Sequence, residues 1–215
     1  GDHREYIHGY TNGTVGPNRN MTRGEAAQMF YNLLLDKSIS GTPKNFADVN
    51  DGLWCAKAIC VVSSKGIVVG YTDGNFGYDD PITRAQFATM CVRFLEGTDG
   101  SYTKGFADVM PGDWYYDYVM TAAEHGWVNG YSNGYFGPND LITRAQVMTL
   151  MNHMLGREAD KEYINANVSK LHDFSDLHDS SAWYYYDVVE ATNAHDYDKL
   201  TSGEVWTGLR AIQYN

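Results

Sequence analysis

Three segments of the chain carry apolar residues at helical spacing, and each begins with the same short polar string. The apolar positions follow i, i+1, i+3, i+4, i+7 and i+8, which predicts amphipathic helices that pack on other helices. A threonine before each stripe, with Glu or Gln three residues later, is the capping box that begins helices. The strings are Met21-Thr22-Arg23-Gly24-Glu25, Ile82-Thr83-Arg84-Ala85-Gln86 and Ile142-Thr143-Arg144-Ala145-Gln146.

The spacing of these strings indicates a repeat protein. Their arginines lie 61 and then 60 residues apart. Each arginine occupies the first helical position, where a cation opposes the helix dipole at a cost of about 0.3–1 kcal/mol. This repeated unfavourable choice predicts a partner for Arg23, Arg84 and Arg144. The sequence leaves two kinds of partner open. One is an anion bound with the help of the helix-start amides, and the other is an aspartate that forms an internal salt bridge.

A loop that begins with Gly-Tyr precedes each capped helix, and its glycine stands 14 residues before the arginine. The pairs are Gly9-Tyr10, Gly70-Tyr71 and Gly130-Tyr131. Asn-Gly or Asp-Gly in the middle of each loop predicts a tight turn. The glycines are also expected to let a ligand approach the backbone. The loops match no dinucleotide-binding or phosphate-binding fingerprint.

A second half-unit alternates with the first and predicts another helix. It begins with Phe-x-Asp and continues through a tryptophan, Trp54, Trp114 or Trp183. Counting from the N-terminus gives half a unit, two whole units and half a unit. The predicted divisions are a first repeat at 1–40, a second at 41–100, a third at 101–160 and a connection with a closing half-repeat at 161–215. Complementary terminal halves would close the chain into a pseudo-threefold ring.

Composition narrows the possible partners. A net charge of −11 argues against nucleic acid and against an anionic membrane surface, because no basic face is available. No run of 18 apolar residues predicts a membrane span. The chain opens on polar residues without a signal peptide, which is expected of an intracellular protein or of a fragment of a longer exported one. The cysteines at 55, 60 and 91 are interpreted as small buried hydrophobes.

Catalytic and metal-binding motifs are not found in the sequence. A calcium loop is suggested by Asp73, Asn75, Asp79 and Asp80, but Tyr78 stands where an EF-hand needs glycine. The seven histidines form no His-Glu-x-x-His, and no Gly-x-Ser-x-Gly occurs. We therefore predict no enzyme activity, no metal site and no cofactor.

The order of loop, Thr-Arg-Ala-Gln cap and Phe-x-Asp half-unit resembles an S-layer homology module of three repeats. Versions of that family's signature lie at 9–25, 70–86 and 130–146. The resemblance implies an all-α, mostly helical fold, in which three repeats form a three-pronged pseudo-trimer with loops of little regular structure. It also implies an extracellular location in the cell wall or S-layer of a Gram-positive bacterium, as part of a larger surface protein.

The function implied by the resemblance is non-covalent anchoring to secondary cell-wall polysaccharide, typically with pyruvate ketals on amino sugars. In that family the repeated arginine binds the acidic group in grooves between prongs, which assigns Arg23, Arg84 and Arg144 as ligand-binding residues. The three Gly-Tyr pairs and Trp54, Trp114 and Trp183 follow by position. Departures such as Gly24 lead us to expect three unequal sites. A protein-binding or self-assembling repeat module without a carbohydrate ligand remains the alternative.

Overall fold

The computed structural model describes residues 1–95, 97–98 and 100–211. The described part contains seven α-helices, one 3-10 helix and three strands. In chain order they are β1 (Asp2–His3), α1 (Arg23–Leu33), α2 (Ala56–Ser64), α3 (Arg84–Leu95), α4 (Tyr116–Glu124), α5 (Arg144–Met154), α6 (Lys161–Ala166), the 3-10 helix Val168–Lys170, α7 (Tyr185–Thr192), β2 (His195–Leu200) and β3 (Gly203–Leu209).

The predicted all-α fold class is wrong. Strands β1, β2 and β3 form an antiparallel sheet in that order, and the helices hold a minority of the described residues. The reason is local: Glu204 and Trp206 are buried, whereas Val205 and Thr207 point to solvent, which is the two-residue period of a strand. Because Glu204 is polar and buried and Val205 is apolar and exposed, this period does not show as an alternation of apolar and polar residues in the sequence.

The chain divides into two compact units, one formed by Gly1–Arg19 with Thr143–Asn215 and one by Asn20–Ile142. In the first, α5 and α6 contact α7, and the sheet joins the N-terminal strand to the C-terminal segment. In the second, α1 packs on α2 and α3 packs on α4. Each helix pair combines one capped helix with one helix of the Phe-x-Asp half-unit.

The predicted capping boxes are confirmed at all three helix starts. The amides of Glu25, Gln86 and Gln146 donate to the preceding threonine hydroxyls over 3.2 Å in each case. The side chains of these residues accept from the threonine amides over 2.9 Å. The sequence string therefore fixes where α1, α3 and α5 begin.

Within Asn20–Ile142, the apolar residues before the three caps form a closed cycle of backbone hydrogen bonds. Met21 donates its amide to the Ile142 carbonyl at 2.9 Å, Ile82 donates to Met21 at 2.9 Å, and Ile142 donates to Ile82 at 3.3 Å. All three side chains are buried. The repeated position thus joins three equivalent points of the chain to one another.

Two of the cysteines lie inside the fold, as predicted, and all three are free thiols. Cys55 and Cys91 are buried, and Cys60 is half-buried. Burial raises the pKa of Cys55 to about 11, which keeps this thiol protonated and unreactive at neutral pH. None of the helices in the described part of the chain has the length and hydropathy that crossing a bilayer requires.

Candidate functional site

Arg23 extends from the start of its own helix to the Gly-Tyr loop of the following repeat. Its Nε donates to the Phe76 carbonyl at 2.8 Å, and its Nη2 donates to the Val69 carbonyl at 2.6 Å. Its Cζ lies 4.6 Å from the centroid of the Tyr71 ring, which is a cation–π geometry. We call such a guanidinium and its tyrosine an arginine-tyrosine site.

The same arrangement recurs at the other two helix starts. Arg84 donates to two carbonyls of the loop that contains Tyr131, whose ring centroid lies 4.8 Å from the Cζ atom. Arg144 donates to Val15 at 2.9 Å and to His8 at 3.0 Å, and its Cζ lies 4.6 Å from the Tyr10 ring. Each predicted arginine is therefore brought together with a predicted tyrosine, although never with the tyrosine of its own loop.

Burial differs among the three arginines. The side chains of Arg23 and Arg144 are buried, whereas Arg84 is half-buried. Desolvation lowers the pKa of Arg23, although the charges on Tyr71 and Asp80 oppose the shift. In the described part of the chain, no carboxylate forms an ion pair with Arg23 or Arg84 within 4.0 Å. The alternative of an aspartate salt bridge, which the sequence left open, therefore does not apply to these two residues.

The backbone amides at the three helix starts already have partners. Arg23 donates its amide to the Asp80 carbonyl at 2.9 Å, and Gly24 donates to Tyr78 at 2.8 Å. The corresponding amides of α3 and α5 donate to loop carbonyls in the same way. Those four bonds are Arg84 to Asp140, Ala85 to Pro138, Arg144 to Arg19 and Ala145 to Pro17. An anion held by these amides, as the sequence suggested, has no donors left there.

The glycine of each Gly-Tyr pair is explained by packing. A Cβ atom on Gly70 would collide with the ring of Phe46, and a Cβ on Gly130 would collide with Phe106. Gly9 stands in the same relation to Phe174. The phenylalanine of the Phe-x-Asp half-unit thus packs on the side of the glycine where a Cβ atom would stand, and the approach of a ligand to these glycines stays a prediction.

The aspartate of each Phe-x-Asp half-unit holds a Gly-Tyr loop in shape, a role that sequence reasoning missed. Both oxygens of Asp48 accept amides of the loop, one from Phe76 at 2.8 Å and one from Gly77 at 2.8 Å. Asp108 accepts from the equivalent amides of the third repeat, and Asp176 accepts from Val15 and Gly16. The repetition of this aspartate two residues after each phenylalanine was the available signal.

The first Gly-Tyr loop has a positively charged side chain next to its tyrosine, whereas the other two loops have a negatively charged one. The hydroxyl of Tyr71 donates to Asp80 at 2.8 Å, and that of Tyr131 donates to Asp140 at 2.8 Å. Nine residues after Tyr10 the chain has Arg19 instead. Arg19 is exposed, and its Cζ lies 4.6 Å from the centroid of the Tyr10 ring. Comparison of equivalent loop positions could have identified Arg19, which we did not predict.

The three predicted tryptophans are among the more exposed aromatic side chains of the described structure. Trp54, Trp114 and Trp183 have 57%, 61% and 63% of their surface accessible. A tyrosine ring stands edge-on to Trp114 at 5.3 Å and to Trp183 at 5.4 Å. Flat, accessible rings of this kind suit contact with sugars or with partner proteins.

A groove of about 480 Å³ lies elsewhere in the Asn20–Ile142 unit, with Lys37, Asp51 and Lys57 among its lining residues. None of the predicted site residues lines it. We therefore base the candidate site on the arginine-tyrosine geometry.

Comparisons with known proteins agree with the repeat pattern. A family model described as the S-layer homology domain matches residues 3–27, 45–88 and 105–148. Cell surface glycoprotein 1 of Acetivibrio thermocellus is 33% identical over 92% of this chain and 9% of its own length. The cellulosome-anchoring protein of the same organism is 34% identical over 95% of this chain and 45% of its own length. Amylopullulanase of Thermoanaerobacterium thermosulfurigenes is 34% identical over 65% of this chain and 7% of its own length. The chain thus spans less than half of each of these relatives.

Proposed function

The chain belongs to the S-layer homology domain family and is a cell-surface anchoring module, and from this premise we propose that it binds an acidic secondary cell-wall polysaccharide through its arginine-tyrosine sites. The module itself is non-catalytic and forms part of a larger surface protein. We propose the kind of polysaccharide, its acidic group and the residues that bind it.

The observation that carries the proposal is the pair of guanidinium groups at Tyr10. Arg19 and Arg144 each place Cζ at 4.6 Å from the centroid of this ring, and Arg19 is exposed to solvent. A guanidinium can hold a carboxylate by two parallel hydrogen bonds. The carboxylate of a pyruvate ketal on an amino sugar has this chemistry. We propose that Arg19 meets that group and that the apolar face of the sugar packs on aromatic side chains nearby.

The other two arginine-tyrosine sites carry an aspartate at the position of Arg19. The carboxylates of Asp80 and Asp140 disfavour an acidic ligand, because like charges repel each other at short range. We therefore propose unequal sites, with the strongest affinity at Tyr10 and weaker contributions at Tyr71 and Tyr131. Linked weak sites raise the overall affinity for a repeating polymer without new contacts.

The experiment is a co-sedimentation assay with purified wall sacculi. One sample is untreated, one has lost the acidic substituents of the polymer by mild hydrolysis, and one has lost the polymer altogether. We expect Arg19→Ala to weaken binding to untreated sacculi about tenfold, because a hydrogen bond to a charged group contributes about 1.5–3 kcal/mol. Wild-type binding should fall by at least this factor when the acidic substituents are removed, because all three sites then lose the acidic group.

Arg93→Ala is the matched control. Arg93 also lies over a tyrosine ring, with its Cζ 5.0 Å from the centroid of Tyr118, but it stands outside the Gly-Tyr loops. Its removal should leave sedimentation unchanged. Equal losses in both variants would contradict the proposed site. Binding that survives complete removal of the polymer would instead support the alternative of a protein-binding or self-assembling module.

A further inference from the structure

A buried cluster of two imidazoles and one carboxylate lies where the three-stranded sheet meets α7. His3 is on β1, Glu190 is on α7, and His195 begins β2. Glu190 and His195 are fully buried, and the His3 side chain is 10% exposed. No sequence motif predicts this cluster, because 187 residues separate His3 from Glu190. These side chains have no part in the arginine-tyrosine sites.

The donor atoms of the cluster converge on one point. Glu190 Oε1 lies 3.0 Å from His3 Nδ1 and 3.4 Å from His195 Nε2. All three ligand atoms lie within 4.8 Å of one another. Ligands at about 2.0–2.1 Å from a tetrahedral zinc ion stand roughly 3.3 Å apart. The observed separations therefore need only small adjustments to accept such an ion.

Hydrogen bonding fixes which nitrogen of His195 faces the carboxylate. His195 Nδ1 lies 2.8 Å from the Asn193 carbonyl, which can only accept, so Nδ1 carries the proton. In the neutral ring, Nε2 then directs a lone pair at Glu190. Within the described structure, His195 Nε2 and Glu190 Oε2 are both buried without a hydrogen-bond partner. A buried lone pair that faces a carboxylate needs a cation between the two groups, which is either a proton or a metal ion.

A backbone carbonyl and an aromatic ring surround His195 in a way that suits a metal ligand. A backbone carbonyl that accepts the second N–H of a histidine is the usual outer contact of a metal-bound imidazole. The Trp206 ring stacks on His195 at 3.6 Å and is itself buried, which excludes water from that side.

A second carboxylate borders the cluster. Glu204 Oε2 lies 3.7 Å from His3 Nδ1, and its side chain is 2% exposed. Positive groups also lie nearby: Lys199 stands 3.7 Å from the other Glu204 oxygen, and Arg157 and the N-terminal ammonium group lie within electrostatic range of His3. Two buried carboxylates would balance a divalent ion.

We propose that His3, Glu190 and His195 form a structural Zn²⁺ site, and that Glu204 completes the coordination once its side chain moves toward the ion. Imidazole nitrogen with carboxylate oxygen is a donor set that suits zinc. The ion would join the first strand, the last helix and the closing sheet of the Gly1–Arg19 and Thr143–Asn215 unit. Its role would be to stabilise this unit, because metal binding to folded ligands is linked to folding.

The test uses the full chain after removal of metals with a chelator. Zn²⁺ is titrated calorimetrically at pH 7.5, unfolding temperature is measured at increasing free Zn²⁺, and Co²⁺ serves as a spectroscopic probe of coordination geometry. We expect one ion per chain, a rise of the unfolding temperature by several degrees, and visible Co²⁺ bands of tetrahedral type. Glu190→Gln and His195→Gln should each weaken Zn²⁺ binding at least tenfold.

His178→Gln is the matched control, because His178 pairs with Asp173 at 2.7 Å on an exposed surface. It should bind Zn²⁺ as the wild type does. If His195→Gln fails to fold, His3→Gln at the partly exposed edge of the cluster provides the same test, with circular dichroism to verify its fold. A folded wild-type chain that takes up no Zn²⁺ overturns the proposal and assigns a shared proton to Glu190. Equal loss of binding in His178→Gln overturns it as well.

Discussion

The carboxylate of Asp48 shows how one side chain holds a whole loop in place. Each of its oxygens accepts one loop amide, so the Gly-Tyr loop keeps its turn while the Tyr71 ring stays beneath Arg23. A neutral amide side chain has a single acceptor oxygen, so it cannot offer each donor a separate, negatively charged oxygen. The position of the tyrosine ring therefore depends on a charge outside the arginine-tyrosine site.

We predict that Asp48→Asn lowers the free energy of unfolding by about 1–3 kcal/mol at pH 7, because one loop amide loses its partner. Desolvation opposes ionisation of Asp48, but the amides of Phe76 and Gly77 outweigh it and lower the pKa of the carboxyl group. The contribution is thus complete above the unfolded pKa of about 3.9 and is lost as the pH falls through the lower folded pKa.

Urea unfolding between pH 7 and pH 3 measures this difference. The gap between wild type and Asp48→Asn should be constant from pH 7 to about pH 4 and should narrow below that pH. Asp51→Asn is the control, since Asp51 is exposed, and it should follow the wild type throughout. A constant gap between the Asp48 variant and wild type over this range would contradict the proposed charge-assisted bonds.

Single residues of the candidate site were predicted unevenly from the sequence. Arg23 was found because its place at a helix start is locally unfavourable, and such a cost can be read from a short window. The partner loop of Arg23 was missed, since it belongs to another repeat and 46 residues separate Arg23 from the Val69 carbonyl. Arg19 was missed because it departs from the repeat: the other two loops have aspartate at this position, so no recurring motif contains it.

At the scale of elements, the helix starts are built from two kinds of contact. The capping box is local and was predicted, whereas the loop carbonyls that accept the first amides come from distant parts of the chain. Gly24 illustrates the difference. Helix propensity alone suggests that this glycine weakens α1 by about 1 kcal/mol relative to alanine. The structure places the Tyr78 carbonyl 2.9 Å from where a Cβ atom of residue 24 would be.

We predict that Gly24→Ala destabilises the protein by about 1–3 kcal/mol, because the added methyl group crowds backbone that cannot rotate away. Equilibrium denaturation of both proteins measures whether the substitution lowers or raises the free energy of unfolding. Ala85→Gly at the equivalent position of α3 is the comparison, and it should also destabilise, by about 1 kcal/mol, through helix propensity. A stabilised Gly24→Ala protein would show that the close approach to Tyr78 is relieved at little cost.

We further predict that Gln86→Glu stabilises the protein by about 0.3–1 kcal/mol at pH 7 and low salt. The glutamate keeps the capping box, as Glu25 does in α1, and adds a negative charge at the positive end of the helix dipole. The gain should shrink in 1 M salt because exposed charges are screened. A gain that is insensitive to salt would point to a packing effect rather than to the dipole.

The sheet is the element that the sequence interpretation omitted. Its two long strands alternate in burial only over a few residues, and β1 has two residues, too few for a periodic pattern. Pairing of Asp2 with Asp196 joins the two ends of the chain, a contact of long sequence separation that no local pattern reports. Helices, by contrast, carry their own start signal and a long apolar stripe, and α1, α3 and α5 begin where predicted.

At the scale of the whole molecule, the closing half-repeat forms hydrogen bonds with the first Gly-Tyr loop, and both lie in the same compact unit. Asp176 accepts amides of Val15 and Gly16 at 2.9 and 2.8 Å, and the Ser175 amide donates to Gly13 at 3.0 Å. The closing half-repeat therefore supplies to the first loop what Asp48 and Asp108 supply to the later ones.

We predict that Asp176→Ala exposes the first loop selectively. Hydrogen exchange at the amides of Val15 and Gly16 should accelerate at least tenfold, since these donors lose a charged acceptor worth about 1.5–3 kcal/mol. The amides of Phe76 and Gly77 should keep their protection, because Asp48 is unchanged. Hydrogen-exchange rates of these single amides are measured by NMR. Uniform acceleration throughout the chain would contradict a local role for Asp176.

The cycle through Met21, Ile82 and Ile142 restricts how such a chain can evolve. Each of the three residues donates its backbone amide to one of the others and accepts an amide from the third. The cycle is therefore closed with three residues, and a fourth repeat would find no free amide in it. Duplication of one 60-residue segment within a gene would leave the extra copy outside this arrangement. Changes in surface chemistry are then expected to accumulate by side-chain replacement within a fixed number of copies, and Arg19, where the other two loops have aspartate, is one such difference.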